Sequence, residues 1–357
     1  MEIRELLDIV VQRNSSDLHL IPDYNPVLRV NGVLHSLVTL PILSPAAVEA
    51  FIYALLTPEQ KEMLLANREL DFSTFLADDK SQRQHRFRVN AYFQKNVLSA
   101  AFRYIPNTIW TIEELNLPSI LHQFTKLRQG FVLLTGPTGE GKSTTLAAFI
   151  NEINLSRSEH IITIEDPVEY VYPKGKSIIS QRELRNDTHS WEVALRSVLR
   201  EDPDVVLVGE MRDYETIAAA LTIAETGHLV FSTLHTNSAA QTIDRIIDVF
   251  PPYQQTQVRL QLSMVLAGIV CQKLLPSTSQ GRVPVCELLL VTPAVRSTIR
   301  DAKTHLIDNI IQTSGESGMF SLEADLKRLI TTGVVEEKVA LEYALRPDEL
   351  LRLLHKK

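Results

Sequence analysis

Hydrophobic positions in residues 2–13 fall at Ile3, Leu6, Leu7 and Val10, the spacing of one helical face. Alternation then takes over. SSDLHL and PVLRVNGVLHSL read as short strands, the last two joined at Asn31-Gly32, a dipeptide that favours tight hairpins. SPAAVEAFIYALL predicts a helix with Ser44 as N-cap and Pro45 at the first helical position. ELDFSTFL, RQHRFRVNAYFQ and NVLSAAFRYIP predict three further strands. Together these make a small α+β domain ending near residue 105. Pro106 to Pro118 reads as a linker with one helical turn, TIEEL, in which Thr111 and Glu114 have capping-box spacing.

Beyond the linker the pattern becomes β–α alternation. GFVLLTG, HIITIEDP, DVVLVGE and HLVFSTLHT are near-continuous apolar strands, each followed by a helical segment. Such strands predict a parallel sheet covered on both faces, an α/β fold. Residues 255–275 and 293–355 are expected to be mainly helical. The uncharged run Leu260 to Gln272, bounded by Arg259 and Lys273, reads as a buried helix too short to span a bilayer.

Composition narrows the classes. Hydrophobic residues make up 45% of the 357, enough to bury large cores, which excludes global disorder. The net charge of −7 disfavours a protein that coats nucleic acid, while leaving room for a local basic channel. Two cysteines, Cys271 and Cys286, cannot form a disulfide framework or a four-cysteine zinc site. Both lie in apolar stretches and read as buried thiols of a reducing compartment. The first residues carry interleaved charges and no signal-peptide core, so the chain is expected in the cytosol, with peripheral membrane association only.

Gly136-Pro137-Thr138-Gly139-Glu140-Gly141-Lys142-Ser143 matches the phosphate-binding loop G-x-x-x-x-G-K-[ST], between a strand and a helix that carries on through Thr144. Its glycines let consecutive N–H groups turn toward phosphate oxygens. Lys142 brings a cation to the β- and γ-phosphates, and Ser143 a hydroxyl to Mg²⁺. Such a loop needs acids beside it to hold Mg²⁺ and orient the attacking water. Two strands end in acids: ITIEDPVEY with Glu165, Asp166 and Glu169, and VVLVGE with Glu210. Strand-end acids of a parallel sheet fall beside the loop. Gly209 stands where an Asp often precedes the second acid.

His228 begins and His235 ends GHLVFSTLHT. Each is open to two readings, a packed histidine or a sensor of the γ-phosphate. Arg86, Arg88 and Arg103 lie on strands of the small domain, with Arg86 and Arg88 on one face. They are either a solvated strand face or arginine fingers that neutralise the γ-phosphate.

Taken together, SDLHL, RVNG, RFRVNA, FRYIP, GPTGEGKSTTLAA, ITIEDPVEY, LREDPDVVLVGEMRD, AETGHLVFSTLHTNSA, TIDRIIDVFP and GESGM resemble the PilT-type retraction ATPases of bacterial type IV pili, within the secretion ATPase superfamily. The resemblance covers nearly the whole chain. It implies a PAS-like domain over 1–108 with a linker to about 118, a RecA-like P-loop NTPase domain over 119–292, and a helical C-terminal region over 293–357. It implies ATP and Mg²⁺ as cofactors and a homo-hexameric ring. The ring would act on an inner-membrane pilus platform protein from the cytoplasmic face, without direct contact to nucleic acid. By the same resemblance Glu165 polarises the attacking water, Glu210 supports Mg²⁺, His228 and His235 form the histidine box, and Arg88 and Arg103 are the paired arginines. Within the loop, Gly136 through Thr144 contact nucleotide.

Two departures stand out. Glu140 replaces a small residue of the family's loop and is expected to point to solvent. AVRSTIRD, with Arg296, Ile299, Arg300 and Asp301, only approximates the family's AIRNLIRE motif. The rival readings are a pilus-assembly or type II secretion ATPase, a RecA-like DNA motor, and a ring component that binds ATP without turnover. The first usually carries an extra N-terminal domain and a four-cysteine zinc element. The acidic balance opposes the second, and intact Lys142, Ser143, Glu165 and Glu210 oppose the third.

Overall fold

The computed structural model describes residues 2–30, 32–77, 84–105, 108–279 and 281–355. The chain divides into two compact units, Met1–Thr108 and Ile109–Lys357.

The first unit opens with α1 (Ile3–Gln12), then β1 (Asp17–Leu20), β2 (Val27–Val30) and β3 (Val33–Ser36). Two helices follow, α2 (Pro45–Tyr53) and α3 (Pro58–Asn67), then β4 (Glu69–Ala77), β5 (Gln84–Gln94) and β6 (Val97–Ile105). Ser44 caps α2 by accepting from the Ala47 N–H at 3.2 Å. Helix α3 escapes the sequence reading because only Leu64 of its ten residues is buried. Its signature was local: Thr57 and Gln60 cap each other's N–H groups. The strands form an antiparallel sheet in the order β3-β2-β1-β6-β5-β4. Asn31, from the expected hairpin turn, lies outside the described residues, although β2 and β3 do pair, with Val30 opposite Val33. Phe87, Val89 and Ala91 of β5 point into a core shared with Leu6, Leu7, Val48 and Ile52 of the helices.

In the second unit the turn at residues 111–115 closes as its spacing predicts, with Thr111 and Glu114 bonded reciprocally. After α4 (His122–Thr125) come β7 (Gly130–Thr135), α5 (Lys142–Ser156), β8 (His160–Glu165) and β9 (Ile178–Glu183). Next are α6 (Trp191–Val198), β10 (Val205–Val208), α7 (Tyr214–Glu225), β11 (Leu229–Leu234), α8 (Ala239–Asp248) and α9 (Pro252–Val265). A hairpin, β12 (Leu266–Pro276) and β13 (Arg282–Leu290), leads to α10 (Pro293–Arg300), α11 (Ile307–Thr313), α12 (Leu322–Thr331), α13 (Glu337–Tyr343) and α14 (Pro347–His355).

The sheet order is β13-β12-β7-β11-β10-β8-β9, parallel except for β13. Alternate residues of one strand serve opposite cores. Phe131 and Leu133 join one cluster with α6 to α9, while Val132 and Leu134 join another with α5. That is why these strands read as unbroken apolar runs.

One expectation fails. Residues 255–275 are helical only as far as Val265; the apolar run continues as β12, beside β7. A short apolar run buried on both sides carries no period that separates helix from strand. Gly268 marks the difference, since a Cβ there would lie 2.5 Å from the Phe124 ring. Cys271 and Cys286 are free and buried, as their surroundings suggested. No helix among the described residues is long and apolar enough to cross a membrane.

The far end of the β12–β13 hairpin carries a third core, with Leu275, Val283 and Val285 against Leu322, Leu326 and Leu350. Beside it Arg346 faces three carboxylates: fully buried Glu323 at 3.8 Å, Glu349 at 3.4 Å and Asp308 at 3.9 Å. Removing the cation leaves Glu323 charged in a dry site. Arg346→Ala is therefore expected to destabilise the C-terminal helices by about 2–3 kcal/mol, less than a fully buried pair because Arg346 is partly exposed. Urea denaturation followed by circular dichroism measures it.

Arg296 of AVRSTIRD faces inward and donates to the Ser263 and Met264 carbonyls at 3.2 and 2.6 Å, in the last turn of α9. Arg300 and Asp301 pair side by side on the surface, at 3.5 Å.

Candidate functional site

The phosphate-binding loop joins the carboxyl end of β7 to α5. At Gly136 φ is +141°, and a Cβ would lie 2.2 Å from the Gln272 carbonyl oxygen, so only glycine fits. Gly141, at φ +76°, is the N-cap of α5 and offers no side chain to its first turn. Helices α2, α3, α6, α7, α8, α10 and α12 all begin with a capping side chain. The first turn of α5 thus keeps its N–H groups for an anion, as the helix dipole favours. Pro137, Thr138, Gly139 and Ser143 are exposed, and Lys142 is buried. The Lys142 ammonium donates to the Gly136 and Pro137 carbonyls at 2.7 and 2.8 Å, spanning the loop. Burial pulls its pKa below the ordinary lysine value, opposed by the charges of Glu140 and Glu210.

The acids approach from neighbouring strands. Glu165 ends β8 and is buried. Burial raises its carboxyl pKa to about 7, against the opposing pull of two donors, the Thr163 hydroxyl at 2.7 Å and the Glu169 N–H at 3.2 Å. Gly209, the departure noted in the second acidic strand, has a physical reason. A Cβ there would press to 3.3 Å from the Glu165 Cα. Glu210 follows β10 and meets Arg212 at 2.9 Å and the His235 Nε2 at 3.6 Å. The strand order β7-β11-β10-β8 therefore sets Gly136–Ser143, His235, Glu210 and Glu165 along one carboxyl edge. Asp166 sits 3.9 Å from Arg185.

His228 is not brought there. It precedes β11 at the amino edge, where its Nδ1 lies 3.0 Å from the Ile223 carbonyl and 3.0 Å from the Thr226 hydroxyl. A strand length of roughly 20 Å separates it from His235. There it closes the end of α7, away from the phosphate loop of this chain.

Glu140 also departs from expectation. Instead of reaching into solvent, its carboxylate accepts a hydrogen bond from the Leu274 N–H of β12. The sequence reading also missed Gln272, which accepts from the Thr145 hydroxyl at 2.8 Å and donates to the Glu140 carbonyl at 2.7 Å. Its signal was a polar amide inside an apolar run. Tyr170 was missed as well; its hydroxyl meets that of Thr144 at 2.8 Å.

In the first unit, Arg88 and Arg103 are directly opposite on β5 and β6, hence on one face. Asp17 and Arg29 continue that row, and Arg103 pairs with Asp17 at 3.1 Å. Arg86 is buried, donating to the Ser73 hydroxyl at 3.0 Å under the Phe75 ring.

Among the described residues no group of three or more His, Cys, Asp or Glu could hold a metal ion. A cation here fits only with substrate oxygens completing its shell, as Mg²⁺ on phosphates does. An uncapped helix start, a buried lysine across the loop and an acid facing it fit a nucleotide polyphosphate.

Fold and site define a P-loop nucleotide-binding protein with a mixed α/β architecture. Residues 2–280 match the family described as type II/IV secretion system protein, and the chain belongs to that family. It is 44% identical over 351 residues to the type IV pilus retractation ATPase PilT of Pseudomonas aeruginosa, covering 98% of this chain and 99% of that one. It is 45% identical over 326 residues to the twitching motility protein of Neisseria gonorrhoeae, covering 91% and 86%. Among solved structures, the pilus retraction motor PilT with bound ADP aligns at a TM-score of 0.91 and 41% identity, over 99% of each chain.

Proposed function

We propose that this protein is a cytoplasmic motor ATPase that powers type IV pilus retraction, working as a homo-hexameric ring on an inner-membrane platform protein. The observation that carries the reading is the convergence of Lys142, Glu210 and buried Glu165 on one carboxyl edge of the sheet. Similarity over nearly the full length of a named retraction ATPase supports the direction of work. In this reading residues 119–292 are the motor, 1–108 a PAS-like partner domain and 293–357 a helical tail.

ATP would supply the phosphoryl group, and Ser143 with Glu210 would hold an Mg²⁺ ion that neutralises its charge. The loop N–H groups from Gly136 to Thr144 and the Lys142 ammonium cradle the phosphates. Glu165 takes the attacking water's proton and orients it in line. His235, beside Glu210, senses the γ-phosphate. Arg88 and Arg103, opposite each other on the first unit's sheet, are the paired arginines that the resemblance implies. Deleting the gene tests the reading: surface pili should persist or accumulate while twitching stops. Bald cells would assign the protein to pilus assembly instead.

The role of Glu165 implies a pH dependence. Only its ionised form accepts a proton, so kcat/KM for ATP should fall as pH drops through about 7. Thr163 donates to the charged form, so Thr163→Val should move that acid limb upward. Steady-state phosphate release between pH 5.5 and 9 reads both. Stability runs the other way. The folded protein holds this proton more tightly than the unfolded chain, so Glu165's contribution is lost as pH rises from the ordinary carboxylate range to about 7.

A further inference from the structure

We propose that Glu140 is a positioning residue that straps the phosphate loop to β12 and so sets the affinity for nucleotide phosphates; the inference rests on the nucleotide-binding reading above. Strand β12 pairs with β7 only as far as Cys271 opposite Thr135. Past that point β7 has ended and the loop begins, so the inner edge of β12 lacks a neighbouring strand. The Leu274 N–H lies on this bare stretch, and the Glu140 carboxylate takes the place of the absent strand carbonyl. Gln272 adds a second tie to the Glu140 carbonyl and a third to Thr145 in the first turn of α5. From β13's first residue, the Arg282 guanidinium donates to the Gly139 carbonyl at 3.3 Å. The hairpin thus holds the loop at Gly139 and Glu140, while Lys142 ties its first residues, Gly136 and Pro137.

A serine at position 140, of the small kind the family usually has, is two carbons shorter and cannot span to Leu274. The strap also places a negative charge near Lys142, which favours the ammonium against its burial. That charge opposes incoming phosphates, so strap and charge act on affinity in opposite directions. Two variants separate them. Glu140→Ser removes both; Glu140→Gln removes the charge and keeps an acceptor oxygen.

The experiment uses full-length protein with three readouts: ADP affinity by calorimetry, kcat and KM for ATP, and hydrogen exchange of residues 136–142 without nucleotide. Glu140→Ser is expected to raise the ADP Kd and the ATP KM about tenfold, the scale of one hydrogen bond to a charged group. Its kcat should change less than KM, and its loop amides should exchange faster than wild type. Glu140→Gln should recover most of the affinity and the slow exchange. Unchanged affinity and exchange in Glu140→Ser would overturn the strap. So would tighter binding in both variants, or no rescue by Glu140→Gln. If wild-type protein binds no ADP, the nucleotide reading fails, and hydrogen exchange still decides the strap.

Discussion

Purified Lys142→Ala protein is expected to lose about 10³-fold in ATP turnover, the scale for deleting a preorganised group that stabilises transition-state charge. The ammonium is buried and held only 2.7 and 2.8 Å from two loop carbonyls. Its desolvation is already part of the fold, so it meets developing phosphate charge with little reorganisation. Alanine removes the charge and frees the Gly136 and Pro137 carbonyls, so ADP affinity should fall as well. Phosphate release and calorimetry measure both effects, with a thermal melt to confirm that the variant folds. Wild-type turnover in the variant would exclude the loop as the hydrolytic site.

Glu165→Gln should separate binding from chemistry. The substitution keeps size and an acceptor for the Thr163 hydroxyl, but the amide cannot take a proton. Turnover should drop about 10²–10⁴-fold, the range for a lost general base, while ADP affinity stays near wild type. The raised carboxyl pKa adds a second expectation. Above pH 7 the wild-type protein bears a buried charge at this position that glutamine does not, which offsets the lost acceptor for the Glu169 N–H, so the variant should melt close to wild type at pH 8. A variant that hydrolyses ATP normally would remove Glu165 from the mechanism. One that melts much earlier at pH 8 would contradict its buried, proton-holding environment.

Most elements legible in the sequence carried a local signal, although α3 went unread despite its capping box. Ser44 accepts from an N–H three residues on, as its place before Pro45 indicated. The loop from Gly136 to Ser143 was legible because phosphate chemistry fixes both residue types and spacing. Beyond those local signals, the reading failed where tertiary context decides. The strand β12 looked like helix because burial on both faces erases periodicity. His228 and His235 bound one strand, and only its three-dimensional course shows that they lie at opposite edges of the sheet. Glu140 looked solvent-facing because nothing nearby in sequence announces the Leu274 N–H, 134 residues away.

The strand order has a consequence for how the chain assembles. The neighbours of β7 are β11 and β12, both made long after the phosphate loop. A nascent chain that has reached Gly227 already carries the loop, Glu165 and Glu210, yet β7 has no strand on either side. Closing the sheet then requires inserting residues 229–234 between β7 and β10, and laying 266–276 along the other edge of β7. Such contacts are non-local and slow to form. During synthesis the nucleotide site is therefore completed only once β11 and β12 have emerged, although its own loop is made first.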